Sequence, residues 1–290
     1  MTVYLGTSGW QYAHWRHTFY PPGVAQARWL DFYAERFRIV ELNNSFYMLP
    51  KPETFAKWRE RTPDDFIFAA KMSRFLTHIK KLNDPQEPVE RFFKHARYLG
   101  PKLGPILLQL PPTLKADPIQ LDETLSLMPD DAKVSVEFRH ESWWTDEIRD
   151  ILTKHGAALC LADRGEKPVT HLWRTADWTF LRFHAGFGKP SPCYRKKALA
   201  RWVDVLANDW PPGHQLYVFF NNDPRACALR DAIVFAGLMR EAGYEVTRHP
   251  RRSEVRVGDP DTAAWAERYP TGRDEARHRG TIEIPWATSR

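Results

Sequence analysis

Residues 134–144 read VSVEFRHESWW, an apolar run that turns abruptly polar. In a strand, side chains two apart share a face. Glu137 and Arg139 therefore project together, with Val136 and Phe138 on the other face. His140, Trp143 and Trp144 follow at once. A carboxylate so placed can exchange a proton with a substrate. A guanidinium beside it can grip a carboxylate or phosphate through two parallel hydrogen bonds. The plainer alternative is a local ion pair, because buried charges need partners in any fold.

Comparable groups stand at other candidate strand ends. Glu41, Lys71 and His184 join Glu137 as candidate catalytic residues. A pair of carboxylates such as Glu41 and Glu137 suits glycoside chemistry, in which their separation decides the mechanism. Lys71 would form a Schiff base if desolvated; an electrostatic contact to an anionic substrate asks less of it. Arg139 and Arg182 suit the anion itself. Ser8, Trp10, Tyr12, Asn43, Tyr47, His78, Gln109, Trp143, Asp163, Asn221 and Asn222 complete the candidate substrate-binding set, with Trp10, Tyr47 and Trp143 as pocket walls. His78, Glu137, Asp163 and His184 are metal-ligand types without the spacing of a motif such as HExxH, and the HxxH of His14 and His17 lies in an aromatic loop. The sequence thus assigns no metal site and names no cofactor. The segment Gly186-Phe187-Gly188-Lys189 is too fragmentary for a phosphate loop and is expected to be a flexible connection.

The elements that must position these groups recur along the chain. Apolar strand-like runs occupy residues 3–9, 39–43, 66–71, 105–110, 158–162, 179–184 and 215–220, with the run from 134 as the fifth of eight. Helical spacing marks 27–37, 52–61, 88–99, 119–128, 195–208 and 228–242, with a further helix after Thr145. Thr145 is placed to cap that helix, Gly156 to end it and Gly243 to end the last one. Near-continuous apolar strands imply a parallel sheet covered on both faces. Eight of them alternating with helices predict an α/β fold, a (β/α)8 TIM-like barrel, as one domain over residues 1–248. An open doubly wound sheet is the alternative. In a barrel, all the polar strand ends converge on one mouth, where active sites of this architecture lie. Residues 249–290 read as a charged, Arg-rich extension and a candidate disordered tail.

Composition narrows the class. The chain has 290 residues, 43% hydrophobic and 27% charged, enough for one large core and unlike a membrane or disordered protein. No apolar run approaches the ~20 residues that span a bilayer. The first ten residues lack the basic start and apolar core of a signal peptide, so a cytoplasmic location is expected. Three widely spaced cysteines without a CxxC argue against a disulfide framework or a zinc knuckle and fit a reducing compartment. The net charge of +6 suits a nucleic acid or a small anionic ligand, although many of the arginines follow Pro250.

Several strand-end motifs together resemble the DUF72 family, also called YecE-like proteins. They are Gly6-Thr7-Ser8-Gly9-Trp10 with Tyr12 and Trp15, Phe19-Tyr20-Pro21, Glu41-Leu42-Asn43 with Ser45-Phe46-Tyr47, and Lys71 with Thr77-His78. Leu108-Gln109-Leu110-Pro111-Pro112, Glu137-Phe138-Arg139-His140 with Trp143, Arg182-Phe183-His184 and Phe220-Asn221-Asn222 complete the set. The resemblance spans about residues 3–248 and implies a TIM barrel. It implies no reaction, since the family's function is unknown. Ala185 stands where the family usually has Gly after the histidine, and Pro224-Arg225-Ala226 and Asp231 depart from its pattern after the asparagine pair.

The leading function is an enzyme, of hydrolase or lyase type, acting on a small anionic or polyhydroxylated substrate at the mouth, with Glu137 as acid/base. A nucleic-acid-binding or -processing protein is the second reading, resting on the basic charge and aromatic loops. A non-catalytic ligand-binding protein is the third. The sequence leaves the oligomeric state open.

Overall fold

The computed structural model describes residues 2–210 and 213–255. Eight parallel strands form the wall of a TIM-like barrel: β1 (Thr2–Thr7), β2 (Ile39–Leu42), β3 (Ile67–Lys71), β4 (Leu103–Gln109), β5 (Val134–Glu137), β6 (Ala158–Asp163), β7 (Trp178–Phe183) and β8 (Gln215–Phe220). A ninth, β9 (Glu245–Val246), gives the sheet order β2-β3-β4-β5-β6-β7-β8-β1-β9. The helices are α1 (Trp29–Arg36), α2 (Asn44–Tyr47), α3 (Pro52–Glu60), α4 (Gln86–Ala96), α5 (Pro118–Ser126), α6 (Asp146–Lys154), α7 (Lys196–Asp209) and α8 (Cys227–Glu241). The expected barrel is therefore the observed one.

Local chemistry sets the helix ends. The Thr145 hydroxyl accepts the Ile148 N–H at 3.3 Å and caps α6. Gly156 and Gly243 follow α6 and α8 with φ of 58° and 86°, the left-handed turn that ends a helix. In α4, Val89, Phe92, Phe93 and Ala96 are buried at helical spacing, the stripe that fixes it to the sheet.

The core has two layers. Side chains inside the barrel, among them Ile39, Ala69, Leu107, Cys160, Phe180 and Phe219, form a small apolar floor. The larger cluster lies between strands and helices. This division follows the two-residue alternation of each strand.

Two features depart from eight equal repeats. First, residues 164–177 contain no helix between β6 and β7. The chain instead returns along β6, with Ala162 N–H donating to Thr170 Oγ1 at 3.1 Å and Leu159 N–H to Thr175 Oγ1 at 2.9 Å. Trp144 stacks on His171, with centroids 4.7 Å apart, and meets Trp173 edge-on, covering the surface a helix would have covered. Second, no ladder joins β1 to β2 among the described residues. A side chain at Gly6 would stand 2.4 Å from the Ile39 carbonyl oxygen, so glycine permits the approach. The buried Tyr33 hydroxyl bridges the seam, accepting from Thr7 N–H and donating to Ile39 O, each at 3.1 Å. Below it, β9 pairs with Thr2 and Val3, and Arg38 N–H donates to Arg248 O at 3.2 Å.

The cysteine expectation is corrected. Cys193, before α7, and Cys227, opening α8, form a disulfide, and Cys160 is a free buried thiol. Spacing in the chain does not report proximity: α7 and α8 are neighbours, and the loop after β7 folds across to α8. That loop is also not a loose connection. Side chains at Gly186 or Gly188 would fall 2.5 and 2.7 Å from the Cys193 carbonyl oxygen. Of the segment beyond 248, residues 249–255 include a short 3-10 turn, Arg252–Glu254, and a buried Val255. The rest of the expected tail lies outside the described residues. No helix among the described residues is long and apolar enough to cross a membrane.

Candidate active site at the barrel mouth

Strand alternation sorts the candidate residues. Positions in phase with the apolar floor point into the barrel. At the C-terminal ends these are Ser8, Glu41, Asn43, Lys71, Gln109, Glu137, Arg139, Arg182, His184 and Asn221. The small Ala162, paired in register with Arg182, leaves its neighbour room to reach across.

Arg182 is the hub, with 1% of its surface exposed. Its Nε donates to Glu41 Oε2 at 2.9 Å and its Nη2 to Glu41 Oε1 at 2.8 Å. Its Nη1 donates to Glu137 Oε2 at 2.7 Å. The other oxygen of Glu137 accepts from Gln109 Nε2 at 2.9 Å and from Arg139 Nε at 2.9 Å, with Arg139 Nη2 at 2.8 Å. Gln109 and Glu137 stand opposite each other on β4 and β5. His184 Nε2 lies 3.8 Å from Glu137 Oε1, and Asn221 Nδ2 lies 3.2 Å from His184 Nδ1.

The network fixes protonation. Burial opposes charge on Glu137, but Arg139 and Arg182 outweigh it and hold the carboxyl well below its usual range. Burial likewise opposes charge on Arg182, and Glu41 and Glu137 reverse the effect and raise its pKa. Burial, then Arg182, push His184 well below the ordinary histidine value, so its imidazole is neutral. Lys71 behaves differently. Burial, then the Arg182 charge, lower its amine to about 7 against the opposing pull of Glu137 and Glu41. Its Nζ rests 3.9 Å from the centre of the Phe46 ring.

Neighbouring loops complete the rim. His78 sits on a short π-helical turn, Phe75–Ile79, edge-on to Phe46 at 4.9 Å, with Nδ1 2.8 Å from Thr77 Oγ1. Burial, then Lys71, lower it to about 4. Tyr12 and Asn43 both donate to the Ser8 carbonyl, Asn43 at 3.2 Å. The Ser8 hydroxyl is buried without a hydrogen-bond partner among the described residues. Tyr47 is 44% exposed at the edge.

Four expected ligand contacts lie elsewhere. Asp163 points outward into the helical layer, where its carboxylate accepts from Tyr194 Oη at 2.8 Å and Trp202 Nε1 at 2.6 Å. Asn222 also points outward, donating to Asp231 Oδ2 at 2.7 Å and Pro192 O at 3.1 Å. Trp143 is fully buried, stacked on Phe138 and donating to Leu114 O. Trp10 packs edge-on against Trp58 and is 4% exposed. Asp163 and Asn222 each follow an inward-pointing position by one residue, so alternation excludes them from the mouth. Conversely, Arg164 is in phase with Ala162, and burial, then Arg139, lower its pKa to about 10; alternation would have found it. Phe46 beneath Lys71, and His14, which lies 2.8 Å from the Asp223 carbonyl oxygen, have no such signal. Among the described residues no three His, Cys, Asp or Glu side chains converge as a metal-ligand set.

Comparison with known proteins shows the family and the fold. The model of the family described as "Protein of unknown function DUF72" matches residues 4–254. The UPF0759 protein YecE of Escherichia coli K12 is 32% identical over 143 residues, 49% of this chain and 50% of that protein, so the match spans about half the length of that relative. The UPF0759 protein YunF of Bacillus subtilis is 26% identical over 253 residues, 76% of this chain and 89% of that protein. A crystal structure of a DUF72 family protein from Thermotoga maritima superposes with a TM-score of 0.71 at 28% identity, covering 83% of this chain and all of that one. One from Enterococcus faecalis shares the fold, with a TM-score of 0.68 at 17% identity over 82% of this chain and 95% of that one. The chain belongs to the DUF72 family.

Proposed function

We propose that this protein is an enzyme whose substrate is a small anion, bound at the barrel mouth. One observation carries the reading. Glu41 and Glu137 are consumed by Arg182, Arg139 and Gln109, and Lys71, 7% exposed, has no carboxylate partner among the described residues. When Lys71 is protonated, Lys71, Arg139 and Arg182 therefore stand against the two carboxylates Glu41 and Glu137. A buried excess of positive charge is costly unless an anion completes it. The buried Ser8 hydroxyl offers a further polar contact, which suits a substrate with hydroxyl groups.

The same geometry redistributes the catalytic roles. Glu137, the expected acid/base, is held ionised by two guanidiniums and an amide, which favours a positioning role. Lys71 is the mouth group poised to gain or lose a proton near neutrality. Calorimetric titration with inorganic phosphate and with oxalate tests the site. Both are expected to bind wild type, and more weakly to Lys71→Met. Equal binding by the variant would place the anion elsewhere. The variant Glu137→Gln, which keeps the side-chain shape, is expected to bind the anions more tightly. A short oligonucleotide that bound more tightly than either anion, with steep salt dependence, would favour the nucleic-acid reading.

A further inference from the structure

We propose that Lys71 is an imine-forming residue: its Nζ condenses with the carbonyl of an aldehyde or keto acid whose carboxylate or phosphate is held at the mouth beside Arg139. The inference rests on the anion reading above and specifies its substrate class.

The argument begins with two buried lysines that solve the same problem in opposite ways. Lys102, 5% exposed, lies at the other end of the barrel. Its Nζ donates to Arg59 O and Thr62 O, each at 2.6 Å, and to Thr62 Oγ1 at 3.3 Å. All three protons of the ammonium are used, so its role is structural. Lys71 has no hydrogen-bond acceptor among the described residues; its Nζ faces the Phe46 ring. Glu41 cannot serve it, since both its oxygens are on Arg182. Glu137 has one oxygen on Arg182 and the other on Arg139 and Gln109.

Near neutrality Lys71 is present both as the ammonium that draws the anion and as the neutral amine. Burial and the neighbouring guanidiniums penalise its ammonium form, and arginine would keep its charge there. Beyond the charge, the setting makes a free lone pair available near neutral pH. A desolvated amine beside other cations is the arrangement that activates lysine toward carbonyl carbon. Arg139, one of the groups that disfavour its ammonium form, is more exposed than Arg182 and is the guanidinium suited to the substrate's anionic end.

The step balances without redox change. The neutral Nζ attacks the carbonyl carbon and a C–N bond forms. One amine proton passes to the former carbonyl oxygen, giving a carbinolamine. A second proton, from solvent, lets that oxygen leave as water, and the nitrogen lone pair closes the C=N⁺ bond. His78, neutral at the mouth and within the field of Lys71, can relay these protons.

Reductive trapping tests the proposal. The full chain is incubated with glyoxylate or pyruvate and sodium borohydride, digested and mapped by mass. The Lys71 peptide is expected to carry the reduced adduct, inorganic phosphate to protect it, and Lys102 to stay unmodified. At pH 7 an ordinary lysine is neutral only about once in 10³ molecules, so Lys71 should label about tenfold or more above any surface lysine. Its labelling should level off above about pH 7, while surface lysines keep rising. Lys71→Arg, which keeps the cation, should give no adduct there. An unlabelled Lys71 in a protein that still binds phosphate overturns the imine and leaves the anion site standing. No label and no phosphate binding overturns both. The wild-type map does not depend on any variant folding.

Discussion

Arg182 on β7 closes a two-pronged contact on Glu41 of β2, Nε to Oε2 at 2.9 Å and Nη2 to Oε1 at 2.8 Å, in a setting with almost no solvent. Around the barrel, β8 and β1 lie between these two on one side and β3 to β6 on the other, so the contact crosses the mouth. With its third donor on Glu137, one guanidinium ties β2, β5 and β7 together. Replacing it leaves two buried carboxylates short of a partner. Arg182→Leu is expected to destabilise by about 3–5 kcal/mol. Arg182→Lys keeps the charge but cannot reproduce the fork, and should fall between the two. Urea unfolding measures both; a loss under about 1 kcal/mol for the leucine variant would mean the carboxylates find other partners.

Lys71 makes stability depend on pH in a defined direction. Its folded pKa, about 7, is below the unfolded value near 10.5. Between these values the unfolded chain binds a proton that the folded one does not, so stability falls as pH drops from about 10 to 7 and then levels. Lys71→Met removes the penalty at similar volume. It is expected to raise stability by on the order of a few kcal/mol at pH 6–7. The gain should shrink toward pH 10. Thermal melts across that range check it, and a gain independent of pH would remove titration as its source.

At the level of Thr7 and Ile39, one hydroxyl bridges the barrel seam. Tyr33 Oη accepts from Thr7 N–H and donates to Ile39 O, both buried. Tyr33→Phe leaves a backbone donor and acceptor unpaired with the packing almost unchanged. A loss of about 2–3 kcal/mol is expected. Amide exchange should localise it, with Thr7 exchanging faster than Leu5; an unaltered Thr7 rate would show that water or a backbone shift replaces the hydroxyl.

The Cys193–Cys227 disulfide closes a segment with a sequence separation of 34. A loop of that size stabilises by about 3–4 kcal/mol through the unfolded chain. Cys193→Ser with Cys227→Ser should lose roughly that amount, and dithiothreitol should do the same to wild type. Thiol titration of the unreduced, denatured chain should find Cys160 alone, whereas three reactive thiols would show the bridge unformed.

The barrel was legible in the sequence because parallel strands buried on both faces must be apolar nearly throughout, and helices announce themselves by caps and spacing. Thr145, Gly156 and Gly243 end their helices as their types require. The same alternation carried more information than a list of polar strand ends. It keeps Glu41, Lys71, Gln109, Glu137 and Arg182 inside and sends Asp163 and Asn222 outward, where Trp202, Tyr194 and Asp231 receive them. What alternation cannot supply is a distance between strands far apart in the chain. Glu41 and Arg182 are separated by 141 residues, and nothing local to either says that one guanidinium will claim both mouth carboxylates. The Cys193–Cys227 contact was hidden for the same reason. The sequence by itself determined which strand side chains share the mouth, since that follows from a two-residue repeat. Only the tertiary structure decided which charges neutralise each other, and so that Lys71 is left without a carboxylate partner among the described residues.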